Sequence, residues 1–121
     1  MQQRLNEIER QILTGAVNEL KRLRATTVPS GYGHGALMAA VRDATEGTVR
    51  CDAARWCRDA SYDASGRVAI SRAYKRLEAM GLCTRIAGGY VGKSVTHLQL
   101  SEAGIALAAE WETALDKTRV L

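Results

Sequence analysis

The sequence predicts a mostly helical domain that carries a small β-hairpin near its C-terminal end. Three observations predict it. Apolar residues recur at three- and four-residue steps over most of the chain. One stretch, residues 82–100, instead alternates on either side of a glycine-rich centre. The chain of 121 residues has one proline, Pro29, so little interrupts its helices.

Residues 3–24 read as a long amphipathic helix, with Leu5, Ile8, Ile12, Ala16, Val17, Leu20 and Leu23 on one stripe. At that length it spans roughly 33 Å, more apolar face than a small core hides. The expectation is therefore a second subunit as its cover. Residues 25–35, with Gly31, Gly33 and Gly35 alternating around Tyr32 and His34, read as a linker. Residues 36–44 form a short Ala-rich helix, closed at Gly47, and Thr48–Cys51 a brief strand. Asp52 is placed as the N-cap of a helix at about 53–60, with Ala53, Ala54, Trp56 and Cys57 as its apolar side.

The segment 61–66 is turn-rich, and residues 66–80 form the clearest helix. Ser65 or Asp63 caps it, and Ile70, Ala73, Tyr74, Leu77 and Met80 make its inner stripe. Gly81 stands where a left-handed residue ends a helix, and Leu82 folds back on it. The outer face carries Val68, Ser71, Arg72 and Lys75. Two alternating runs, 82–87 and 95–100, flank Gly88–Ser94 and form the hairpin. Ser101 caps a last helix, with Glu102 in its first turn and Ile105, Ala108, Ala109, Trp111 and Leu115 along it, ending near Lys117.

Charge is unevenly placed. Residues 48–100 hold nine basic side chains against four acidic ones, while the rest of the chain is slightly acidic. That asymmetry is an electrostatic footprint for a polyanion. A basic-faced helix followed at once by a glycine-tipped hairpin is the layout of a winged helix-turn-helix. A helix fits the major groove of B-DNA, and a hairpin beside it reaches the flanking backbone or minor groove.

The run Ile70-Ser71-Arg72-Ala73-Tyr74-Lys75-Arg76-Leu77-Glu78-Ala79-Met80-Gly81-Leu82 resembles the recognition helix of MarR-type and PadR-type winged-helix regulators. Leu100-Ser101-Glu102-Ala103-Gly104 resembles the run that follows the second wing strand there. The resemblance covers roughly residues 36–110. It implies a winged helix-turn-helix domain over 36–100, an N-terminal dimerisation helix and loop over 1–35, and a C-terminal dimerisation helix over 101–121. It implies a homodimeric, cytoplasmic transcription regulator, a repressor, that binds double-stranded DNA, and it leaves room for a small-molecule effector. Ser71, Arg72 and Lys75 take the recognition role, and Arg85 and Lys93 the wing role, Arg85 and Lys93 having no evident acidic neighbour in the sequence; Arg67 and Tyr90 are further DNA-binding candidates. Leu5, Ile8, Ile12, Leu20, Leu23, Trp111 and Leu115 take the dimer contacts. The interval from Ala54 to Ser71 is longer than in that family, so Ala60–Gly66 is an enlarged turn. The other readings are a winged-helix module for protein–protein assembly in a replication or phage complex, and an RNA or single-strand binder.

Competing chemistry is weak. Ala87–Ser94 nearly matches a phosphate-binding loop, but a strand rather than a helix follows it, and nothing supplies an acidic metal-binding strand. Cys51, Cys57 and Cys83 form no C-x-x-C pair, so neither a zinc site nor a disulfide framework is expected. Arg55 and Arg58 beside Cys57 raise a redox-sensing thiol as the alternative to a buried inert one. No Ser–His–Asp set is evident, and the helix carboxylates Glu7, Glu9, Glu19, Glu110 and Glu112 read as solvated charge patterning. The expectation is no enzyme, no cofactor and no membrane span.

Overall fold

The computed structural model describes residues 4–31, 33–87 and 95–119, with side chains through Glu112. Five α-helices and three strands follow in the order α1 (Glu7–Arg24), α2 (Gly35–Thr45), β1 (Thr48–Arg50), α3 (Ala53–Trp56), α4 (Ala64–Ala79), β2 (Cys83–Ala87), β3 (Val95–Leu100) and α5 (Glu102–Arg119). A 3-10 turn, Ala60–Tyr62, joins α3 to α4. The protein is thus mostly helical with one small antiparallel sheet, as the sequence predicts.

The strands order as β1-β3-β2. β3 is central. It pairs Val49 with Leu98 on one side and Arg85 with Leu98 on the other, and the β2 register slips between Ile86 and Ala87. Leu98 and Leu100 turn inward and are buried.

α1 is the packing centre of the molecule. Its Asn6 cap and Glu9 form a reciprocal capping box, each backbone N–H donating to the other's side chain at 2.8 Å. Ile12, Leu13, Ala16, Val17, Leu20 and Leu23 are buried in one core with Val49, Cys57, Ile70, Leu77 and Leu98. This corrects the expectation for the helix. Ile12, Leu20 and Leu23 need no second subunit, because α2, α3, α4, α5 and the sheet all pack on α1. The division at residue 35 separates no packing unit either, since α1 shares its core with residues 36–100.

The helix expected over 53–60 is broken. α3 is a single turn, Asp52 makes no side-chain cap, and Cys57 leaves the helical region at φ −128 and ψ 56. The break buries Cys57 and brings its thiol 3.9 Å from the Ile8 carbonyl. Trp56 packs on α1 where Gly15 offers no side chain, and a Cβ there would overlap the indole. Packing against α1 therefore wins over helix continuation. The opposite holds at α4 and α5, where local signals suffice. The Gly81 turn has φ +76, and the Leu82 N–H returns to the Leu77 carbonyl at 3.0 Å. Ser101 caps α5, its Oγ accepting from the Gly104 N–H at 3.1 Å.

Candidate nucleic-acid interface

α4 starts at Asp63, whose Oδ1 accepts from the Gly66 N–H at 2.6 Å. Gly66 is required there, because a Cβ would overlap the Ala60 carbonyl. The enlarged turn 60–66 is thereby clamped onto the first turn of the helix. Ile70, Ala73, Tyr74 and Leu77 fasten the inner face of α4 to the core. Arg67, Val68, Ser71, Arg72 and Lys75 are left on the opposite, exposed face.

The partners of the basic residues separate structural cations from free ones. Arg76 Nε lies 3.4 Å from Glu9 Oε2, and Arg76 Nη2 donates to the Arg4 carbonyl at 3.0 Å. Arg55 lies 3.8 Å from Glu19. Arg58 donates to the Tyr62 hydroxyl at 3.0 Å. Arg67 reaches the Ser61 carbonyl at a long 3.4 Å. The side chains of Arg72 and Lys75 form no ion pair or hydrogen bond with a described residue. Arg72 makes no ion pair with Asp59 or Asp63, although both lie close by in the chain.

Arg85 departs from expectation. Glu78 Oε2 accepts the Arg85 backbone N–H at 2.6 Å, and Glu78 Oε1 accepts Arg85 Nη2 at 3.2 Å. The left-handed turn at Gly81 is the cause, since it folds β2 back until residue 85 lies beside residue 78. The Arg85 backbone amide, and then its side chain, hold the Glu78 carboxyl below its usual range. Arg85 is therefore a tie between α4 and β2, with its Nε buried and unbonded. Tyr90 and Lys93, and with them the near-match to a phosphate-binding loop beyond Ala87, lie outside the described residues.

The remaining sequence candidates fall as follows. Leu5 and Ile8 are half-buried against the core, and Ile12, Leu20 and Leu23 lie inside it. Trp111 is half-buried with the Arg10 guanidinium 4.8 Å above its ring. The side chain of Leu115 lies outside the described residues. Glu9, read as solvated, is buried at 1% exposure, held by its cap and by Arg76. Sequence reasoning missed the tie from Glu9 to Arg76, although the Asn-x-x-Glu spacing of a capping box was there to be read.

The cysteines are not activated. Burial pushes the Cys57 and Cys83 thiols up to about 11 and raises Cys51 as well. The arginines beside Cys57 do not offset this, because Arg55 faces Glu19 and Arg58 faces Tyr62. Tyr74 is buried, and that burial raises its hydroxyl pKa, so its ring offers no stacking surface. Two open grooves lie among the described residues. One of about 760 Å³ follows α1 past Arg10, Gly15, Arg22 and Trp56. The other, about 670 Å³, lies between α1, α2 and β1 beside Asp43, Arg50 and His97. Among the described residues no cluster of three His, Cys, Asp or Glu could hold a metal ion, and no helix is long and apolar enough to cross a membrane.

Compared with protein-family models, curated proteins and solved structures, the chain matches none.

Proposed function

We propose that this chain is a duplex-DNA-binding transcription regulator of the winged helix-turn-helix class, acting as a repressor in the cytoplasm. In this reading α3, the turn 60–62 and α4 form the helix-turn-helix, and β2 and β3 form the wing. The observation that carries it is the outer face of α4. Arg72 and Lys75 stand there exposed and without a partner among the described residues, while Arg55, Arg58, Arg76 and Arg85 all have partners in the fold. A free cation on a rigid helix retains its charge for a ligand, whereas a paired one must first give up its partner. From Arg67 to Lys75 the helix advances about 12 Å, comparable with the width of the major groove. Arg72 at the centre takes guanine O6 and N7, and Lys75 and Arg67 take phosphates.

The homodimer belongs to the same proposal, joined through surfaces other than Ile12, Leu20 and Leu23, with the half-buried Leu5, Ile8 and Trp111, together with Leu115 on α5, as its remaining candidates. A single-strand reading is less well supported, because Tyr74 is committed to the core.

The test is equilibrium binding to a random duplex, to the matching single strand and to duplexes selected from a random pool, across a salt series. The proposal expects duplex binding that weakens linearly in log–log salt, with a selected sequence bound at least about a thousandfold more tightly than random DNA. Binding confined to the single strand, or absent from all three, would overturn it.

A further inference from the structure

Among the described residues, Val68 is the large hydrophobic side chain that α4 leaves exposed. It is 49% exposed, follows Arg67 directly, and stands one helical turn before Arg72. A β-branched residue at an exposed helix position is a poorer helix former than alanine. Its burial adds little to the core, which on this helix is made by Ile70, Ala73, Tyr74 and Leu77. What Val68 offers is a pair of γ-methyls set in an otherwise polar, cationic surface.

Resting on the reading of α4 as the groove-entering helix, we infer that Val68 is a specificity determinant that recognises the C5-methyl group of a thymine. The major-groove edges of the four bases present donors and acceptors, and thymine alone adds a methyl group. An apolar side chain pressed against a polar base edge strips hydration without return. Pressed against the thymine methyl, it buries two apolar surfaces together. The position is also constrained. Val68 and Arg72 are separated by about 6 Å along the helix axis, or roughly two base-pair steps. The thymine therefore lies within about two base pairs of the guanine that Arg72 reads.

Deoxyuridine differs from thymidine by that methyl alone. Each thymine of a selected duplex is replaced in turn by deoxyuridine, and binding is measured for the parent protein, Val68→Ala and Val68→Thr. Burial of one methyl corresponds to about a fourfold change in affinity. The parent is expected to lose about fourfold at one thymine near the essential guanine. Val68→Ala should bind the thymine and deoxyuridine duplexes equally, and Val68→Thr, which keeps one γ-methyl, should retain part of the difference. Far-UV circular dichroism and the thermal midpoint should match the parent for both variants, since the site is exposed. Sequence-specific binding in which no deoxyuridine effect depends on residue 68 would overturn this inference while leaving the groove reading intact. Failure to select any duplex would overturn both.

Discussion

Arg76 Nε approaches Glu9 Oε2 to 3.4 Å, and Glu9 is 1% exposed. One ion pair thus ties the first turn of α1 to the last turn of α4. The same carboxylate closes the capping box on Asn6, so Glu9 serves two elements at once. Arg76→Ala leaves that carboxylate with its cap but without a counter-charge. Because Arg76 is itself 45% exposed, the loss should be moderate, about 1–3 kcal/mol. Glu9→Gln, which keeps the acceptor for the Asn6 N–H, should cost less. Urea unfolding of the two variants measures both, and Arg76→Ala as stable as the parent would show that the pair contributes nothing.

Glycine substitutions should divide by cause. Gly66→Ala drives a methyl into the Ala60 carbonyl, and Gly104→Ala drives one into the Leu82 carbonyl. Both clashes are with backbone, so each should cost about 1–3 kcal/mol or more. Gly81 has open space around it but φ +76, so Gly81→Ala costs only the left-handed strain, about 1 kcal/mol, and Gly81→Asn less. Thermal unfolding of the set checks the order, and Gly81→Ala as the most damaging variant would contradict it.

Two carboxylates favour the folded state more when ionised. The Arg22 hydrogen bond holds Glu19 below its usual pKa, and the Arg85 backbone amide does the same for Glu78. A lowered folded-state pKa gives stability that is present above about pH 4.5, where the unfolded chain titrates, and that is lost as pH falls through the folded value. Urea midpoints should therefore be flat from pH 7 to about 5 and fall below that. Glu19→Gln should show a shallower fall. An equal fall in parent and variant would place the acid sensitivity elsewhere.

The thiols should be slow to react. With Cys57 and Cys83 pushed up to about 11 and both buried, alkylation at pH 8 should be limited by opening of the fold. Mass spectrometry of iodoacetamide-treated native protein is expected to find these two unmodified under conditions that label the urea-unfolded chain fully. Rapid labelling of native Cys57 would restore the redox-sensor alternative.

How much of this was legible depends on whether a signal was local. Asp63, Gly81 and Ser101 act within a few residues of themselves, and all three hold the positions their residue types predict. The amphipathic stripe of α1 was equally plain, but periodicity says that a face is covered, not by what. The cover is α2 through α5 of the same chain. Asp52 looked like a cap and is not one, because burial of Cys57 and the seating of Trp56 on Gly15 fix the chain there. At the candidate interface, the outward set Arg67, Ser71, Arg72 and Lys75 follows from helical phase alone. The engagement of Arg85 by Glu78 does not, since it depends on a turn that brings together residues from two elements.

That engagement changes the expectation for phosphate contacts. Lys75→Ala should lower the salt slope of duplex binding by about one unit. Arg85→Ala should leave the slope nearly unchanged and instead loosen the junction of α4 and β2. A unit drop for Arg85→Ala with Lys75→Ala silent would move the contact surface from the helix to the strand.

If α4 reads sequence, Arg72 at the middle of its outer face is the residue whose loss shows it most directly. Arg72→Ala removes no described ion pair, so the fold should be retained. Its binding is measured on the selected duplex and on random duplex at one fixed salt concentration. The expected result is a loss of about 1–3 kcal/mol on the selected duplex, a much smaller loss on random DNA, and relaxed preference at one guanine. No loss on either DNA would contradict it and remove α4 from the groove.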